Sequence, residues 1–270
     1  MVTHRKQRLQ QSFRRVVAFL RARLSPEGLS GLYFTAGIVV LTAATGLFGA
    51  ISEDLITGDP LVAVDKVISE VFRYLANPQF TAAMQFASSF AAVSTIGVLF
   101  ALFGGMFIYK RLWYWLSAWV LVVGGGILLN LILKNIYDRA RPGWADPLNA
   151  LDDFSFPSGH TMMATLVYGF IAVFVILRLA TGWWQALIVF CTGMLVLTVV
   201  FSRMYLGAHY LSDVLGAMAA GVGWLAICLI AVETWRRRRL MMAHRNPGPA
   251  NIPLSTMQES KRSEAKGNGN

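Results

Sequence analysis

Six apolar blocks, each almost free of charge, constrain this chain more than any other feature, because about 20 apolar residues is the length of helix that crosses a bilayer. The blocks run roughly from Leu32 to Ile51, Ala82 to Ile108, Leu112 to Leu133, His160 to Leu177, Trp183 to Val200 and His209 to Thr234. A soluble core could bury a few such segments, but not six in a row. Charge content agrees. Charged residues make up 14% of the chain and hydrophobic ones 56%, against about 25% charged in an average soluble domain. The expected fold class is an all-α integral membrane protein with six transmembrane helices in a bundle.

The remaining segments have their own patterns. In residues 1–30, Leu9, Phe13, Val16, Val17, Leu20 and Leu24 recur at helical spacing, and Arg14, Arg15, Arg21 and Arg23 fill much of the other face. This predicts an N-terminal amphipathic helix on the membrane surface; a soluble basic arm is the alternative. Asp59-Pro60 reads as an N-cap followed by proline at the first helical position. Leu61, Val64, Ile68, Val71, Phe72 and Leu75 follow at helical spacing, with Asp65, Lys66, Glu70 and Arg73 between them. A short extracytoplasmic helix ending at Asn77-Pro78 is expected. The stretch from about Met241 is polar and reads as disordered. The predicted domains are a cytoplasmic arm, 1–30, a six-span domain, 31–239, and a cytoplasmic tail, 240–270.

A net charge of +10 would suggest nucleic acid in a soluble protein. Here the charge sits in loops and tails, where positive-inside sorting accounts for it and anionic lipid headgroups are the natural contact. No nucleic-acid partner is expected. The N-terminal arm, Lys110-Arg111, Arg178 and Arg236 to Arg239 fall on one side, which is predicted to be cytoplasmic and to hold both termini. Cys191 and Cys228 lie inside apolar blocks as small hydrophobes and offer neither a disulfide framework nor metal spacing. No Asn-x-Ser/Thr acceptor and no signal-peptide pattern occurs. Gly216, Gly221 and Gly223 would allow close packing of the last span, within one chain or between chains. The oligomeric state stays open.

Three polar clusters lie on the opposite, extracytoplasmic side. Lys134 and Arg141 are seven residues apart, about two helical turns, so they share a face if the third span continues past the bilayer. Pro142 then helps to end that helix. Alone, the pair could be ordinary interfacial cations that snorkel to headgroups. Pro157-Ser158-Gly159-His160 immediately precedes an apolar run, and a helix N-terminus with its free N–H groups binds phosphate. Alone, this could be a simple N-cap with His160 facing water. His209 and Asp213 are four apart and share a helical face. A carboxylate on one imidazole nitrogen fixes the tautomer and leaves the other free to attack. Arg203 offers a planar fork to phosphate oxygens. Alone, Ser202, Arg203, His209 and Asp213 could be a capping network. Together these bland alternatives fail, because four span ends on one face would not collect such residues by accident.

The pattern Lys134-x6-Arg141-Pro142, Pro157-Ser158-Gly159-His160 and Ser202-Arg203-x5-His209-x3-Asp213 resembles the signature of the type 2 phosphatidic acid phosphatase superfamily. The motifs cover about 80 residues and the six-span layout about 200, leaving both tails uncovered. The resemblance implies a lipid phosphate phosphatase in which His209 forms a phosphohistidine, Asp213 orients it and His160 protonates the leaving oxygen. Lys134, Arg141, Arg203, Ser158 and the Gly159 N–H would hold the phosphoryl oxygens. It implies no metal and no cofactor. The expected partners are membrane lipids and a lipid phosphate substrate such as undecaprenyl diphosphate, phosphatidic acid, phosphatidylglycerol phosphate or a lipid A phosphate. Compact six-span chains of this kind look bacterial. That places the chain in the cytoplasmic membrane with the site facing the periplasm or exterior. Trp144 and Asp152-Asp153 lie near the site, more simply as an interfacial loop than as determinants of headgroup choice. A headgroup-binding transporter or scramblase without turnover is the main alternative. Haloperoxidase chemistry is a third, disfavoured by six spans.

Overall fold

The structure, a computed structural model, describes residues 32–58, 60–142, 154–179 and 182–245. The arm at 1–30, the loop residues Trp144, Asp152 and Asp153, and the chain beyond Arg245 lie outside the described residues. Among the described residues the elements are all helical: α1 Leu32–Thr57, α2 Pro60–Leu75, α3 Pro78–Ser89, α4 Val93–Tyr109, α5 Trp113–Tyr137, α6 Gly159–Ile176, α7 Gly182–Tyr205 and α8 Leu211–Arg245. Among the described residues, six segments are long and apolar enough to cross a membrane: α1, the pair α3–α4, α5, α6, α7 and α8. The chain divides into two units, Met1–Ile230 and Ala231–Asn270. Within the second, α8 continues to Arg245, into the segment read as tail, and Glu233 pairs with Arg236 and Arg237.

Two sequence expectations need correction. The second block is not one helix. It breaks at Phe90–Ala92 between α3 and α4, where side chains, two of them local and one from α6, take over the backbone partners that a continuous helix would use. Ser89 Oγ donates to the Phe86 carbonyl, Thr95 Oγ1 donates to the Ser89 carbonyl at 2.7 Å, and Tyr168 of α6 donates its hydroxyl to the Phe90 carbonyl at 2.7 Å. Irregular backbone at membrane depth is tolerated when its polar groups are satisfied in this way. Asn77 also does more than stop a helix. It caps the next one, its Oδ1 accepting from Phe80 N at 2.9 Å with Pro78 at the first helical position.

The second correction concerns α5, which stops at Tyr137. Asp138 adopts the left-handed conformation (φ 45°) and its N–H donates to the Lys134 carbonyl at 3.1 Å. Arg141 therefore reaches the site from the segment after the helix, not from a shared helical face.

Within the first unit α6 is central. Half of its span is buried, against 11% for α1, and it packs on α5 and α7. Trp119 of α5 is fully enclosed by Phe100, Phe103 and Phe170 and donates its indole N–H to the Phe100 carbonyl. The small residues of α8 meet neighbours of the same chain: Gly216 lies under Phe156, Gly221 against Thr165, and Gly223 against Ala44 and Leu41. Close packing at these glycines is thus intramolecular. α2 rests on α1 and α7, and its Asp65 points inward, 1% exposed.

Candidate active site

The turn from α7 into α8 explains why Arg203 and His209 are six residues apart. α7 closes in a Schellman motif. Gly207 takes the left-handed position (φ 66°), its N–H donates to the Met204 carbonyl at 3.0 Å, and the Ala208 N–H donates to the Arg203 carbonyl at 3.1 Å. The His209 N–H also reaches the Arg203 carbonyl, at 3.3 Å. The turn folds His209 back over the residue that carries the guanidinium. It sits just before α8 rather than inside it, so the pair with Asp213 spans a helix start.

His209 Nδ1 lies 3.6 Å from Asp213 Oδ2, and His209 Nε2 lies 3.4 Å from Arg141 Nη1. One nitrogen therefore faces the carboxylate and the other faces a cation. Asp213 is fully buried, and three donors hold its carboxylate. Oδ1 accepts from Arg139 Nη1 at 2.6 Å, and Oδ2 accepts from the Tyr210 N–H at 2.8 Å and from Ser155 Oγ. His209 Nδ1 faces Oδ2 from just beyond hydrogen-bond distance. The Tyr210 contact is the reciprocal half of a capping box, made by the third residue of α8. Burial lowers the His209 pKa, Asp213 pulls it back up, and the Arg203 and Arg141 charges lower it further, leaving it at about 4. The imidazole is neutral near pH 7 and its lone pair is available.

The other motif residues converge on the same place. Lys134 is buried in the last turn of α5. Arg203, 1% exposed, donates from Nη1 to Ser88 Oγ at 2.9 Å, beside the break between α3 and α4. Arg141 Nη1 also donates to the Ala208 carbonyl at 2.9 Å. Ser158 caps α6 with its side chain, and its N–H donates to the Asp213 carbonyl at 3.1 Å, joining the start of α6 to α8. Gly159 stands where an added Cβ would come within 3.3 Å of Asn130 Oδ1. His160 lies within electrostatic reach of Arg203, His209, Arg141 and Lys134. All eight residues singled out in the motifs therefore meet at one end of the bundle, around the N-terminus of α6.

Several residues at this site lay outside the motifs. Asp65 of α2 accepts from the Ser212 N–H at 2.9 Å, from Ser212 Oγ at 2.5 Å and from Arg139 Nη2 at 2.7 Å. Its signal was its place on the line Leu61, Asp65, Ile68, Phe72, the inward face of an amphipathic helix. A charge there is buried only if paired. Asn130 was a lone polar residue inside an apolar block; its Nδ2 donates to the Pro157 carbonyl at 3.2 Å and steadies the turn into α6. Arg139, Ser155 and Ser88 carried no comparable signal, because their partners are distant in sequence.

The comparisons with known proteins point the same way. Residues 114–237 match the family model of the PAP2 superfamily. The chain is 34% identical over 178 residues to phosphatidylglycerophosphatase B of Bacillus subtilis (strain 168), spanning 65% of this chain and 87% of that protein. It is also similar to the crystal structure of a transmembrane PAP2 type phosphatidylglycerolphosphate phosphatase from Bacillus subtilis. There the TM-score is 0.60 and the identity 30%, over 75% of this chain and 96% of that one. With its six spans and this extent of likeness, the chain belongs to the PAP2 superfamily and is an integral membrane, metal-independent phosphatase of lipid phosphates.

Proposed function

We propose that this protein removes the terminal phosphate of a glycerolipid phosphate of the phosphatidylglycerol phosphate type, through a phosphohistidine on His209. The observation that carries the reading is the two-sided setting of His209: Nδ1 on Asp213, Nε2 beside Arg141. Nε2 attacks phosphorus, the bond from phosphorus to the ester oxygen breaks, and His160 gives that oxygen a proton. Asp213 stabilises the imidazolium cation. Water then attacks the phosphohistidine, His160 takes its proton, and inorganic phosphate leaves. Lys134, Arg141, Arg203, Ser158 and the Gly159 N–H hold the equatorial oxygens, whose charge the site must balance. The likeness to a phosphatidylglycerophosphatase favours the glycerolipid headgroup; a polyprenyl diphosphate is the competing substrate.

The protein's place in the cell is part of the same reading. Lys110-Arg111 and Arg178 lie at the helix ends opposite the site, with exposed Trp113, Trp183 and Trp184 beside them. Basic loops and an aromatic belt mark the cytoplasmic interface. The site then faces outward from the cytoplasmic membrane.

Phosphate release by the purified protein in EDTA tests the proposal. Phosphatidylglycerol phosphate, phosphatidic acid, undecaprenyl diphosphate and a lipid A phosphate would be compared, with His209→Ala as control. Fastest release from phosphatidylglycerol phosphate, at least about 1,000-fold slower in the variant, is expected. Retained turnover by His209→Ala would remove it as nucleophile, and faster release from undecaprenyl diphosphate would reassign the substrate.

A further inference from the structure

We infer that Arg139, together with Asp65 of the extracytoplasmic helix α2, is a positioning device that locks Asp213 in the orientation His209 needs. This inference rests on the proposed roles of His209 and Asp213.

The geometry is specific. One guanidinium bridges two buried carboxylates: Nη1 reaches Asp213 Oδ1 at 2.6 Å and Nη2 reaches Asp65 Oδ2 at 2.7 Å. Nη1 also donates to Ser212 Oγ at 2.6 Å, and that hydroxyl donates onward to Asp65. The guanidinium plane lies over the Tyr210 ring, 4.4 Å from its centre. The Arg139 carbonyl accepts from the Ser155 N–H at 2.7 Å, and Ser155 Oγ donates to Asp213. Burial opposes the charge on Arg139, but Asp213 and Asp65 outweigh it and raise its pKa above the ordinary arginine value. Arg139 is thus permanently charged and held from four sides.

Arg139 does not touch the nitrogen that attacks. Its side chain contacts Asp213, Ser212 and Tyr210 at the start of α8 and Asp65 of α2. A fork that grips one oxygen of Asp213 leaves the other for His209. A lysine could supply the charge but not both arms. The same fork makes α2 part of the active site without placing any α2 residue on the substrate. Asp65 anchors α2 to the first turn of α8, where its negative charge also complements the helix dipole.

The test uses the full chain with short-chain phosphatidylglycerol phosphate and, as a second probe, phosphatidic acid. Arg139→Ala should lower kcat by about 100-fold with KM changed less than about threefold, the effect of a slightly misplaced reacting group. Arg139→Lys should fall between. Added guanidinium ion should partly restore Arg139→Ala and leave His209→Ala unaffected. Asp65→Asn should reduce kcat, and the double variant Arg139→Ala with Asp65→Asn should be no slower than Arg139→Ala alone, since both act through one network.

The pH profile supplies a readout that loss of fold would not move. The charged groups converging on His209 are Asp213 of α8, Arg203 of α7, Arg141 and Arg139 after α5, Lys134 of α5, His160 of α6 and, through Arg139, Asp65 of α2. Removing the Arg139 cation leaves Asp213 uncompensated and favours the imidazolium form. The acid limb of kcat/KM should then move up by about one pH unit. Unchanged kcat and pH profile in Arg139→Ala would overturn the inference. So would a KM effect alone, which would make Arg139 a phosphate ligand, or a lowered melting temperature with neither rescue nor a pH shift, which would make it only structural. If His209→Ala turns over normally, the underlying assignment fails. If His209→Ala is dead while Arg139→Ala is not, only this inference fails.

Discussion

His209 is set up less by its own chemistry than by backbone geometry two residues away. The left-handed Gly207 turns the chain so that the His209 N–H meets the Arg203 carbonyl, and any residue with a Cβ would be strained in that conformation. Gly207→Ala should therefore cost about 1 kcal/mol and lower kcat, measured as a shift in melting temperature and in phosphate release. The low pKa of His209, about 4 against an ordinary 6.5, predicts a further behaviour. In the proposed mechanism His209 must be deprotonated to attack, so activity is lost only as pH falls through its pKa. The acid limb of kcat/KM should lie well below pH 6.5. Arg141→Gln removes one of the charges holding the pKa down and should move that limb upward. Measuring both proteins on one lipid cancels the substrate's own ionisation.

At the scale of helices, the break between α3 and α4 matters most. Just before it, in the last turn of α3, the Ser88 hydroxyl oxygen accepts from Arg203 Nη1. Charge-assisted hydrogen bonds contribute about 1.5–3 kcal/mol, so Ser88→Ala should weaken inhibition by vanadate about tenfold, read as Ki. Helix packing is equally exacting at Gly216. A Cβ there would lie 2.4 Å from Phe156, and Phe156 cannot retreat because it is fully buried between Phe48 and Tyr137. Overpacking of this kind costs about 1–3 kcal/mol. Because Phe156 immediately precedes Pro157-Ser158-Gly159-His160, Gly216→Ala should lower kcat by at least about tenfold, even where the protein still folds, as judged by its melting profile in detergent.

For the whole molecule the proposed orientation in the membrane has a direct test. Tyr74 on α2 is 89% exposed and Tyr109 at the end of α4 is 83% exposed, and they lie on opposite sides in the proposed topology. In a background carrying Cys191→Ser and Cys228→Ser, Tyr74→Cys should react with an impermeant thiol reagent in intact cells. Tyr109→Cys should react only after the membrane is opened. The reverse pattern would invert the topology, and with it the side on which the lipid phosphate is met.

Periodicity and charge placement were enough to read six spans and the amphipathic α2, because each depends on local residue order and on the bilayer as solvent. The eight motif residues were legible for a related reason. Lys134, Arg141, His160, Arg203, His209 and Asp213 are charged or titratable residues at the ends of apolar runs, where such groups are costly unless used. The break at Phe90–Ala92, the early end of α5 at Tyr137 and the fork from Arg139 to Asp65 and Asp213 were not legible. The break and the fork depend on partners far along the chain, Tyr168 for Phe90 and Asp65, 74 residues from Arg139, and the left-handed turn at Asp138 is followed by Arg141, which finds its partner at the distant Ala208 carbonyl. Hydrogen bonds between distant segments leave no period in the sequence. Only the packing of α2, α7 and α8 around the start of α6 brings these groups within bonding distance.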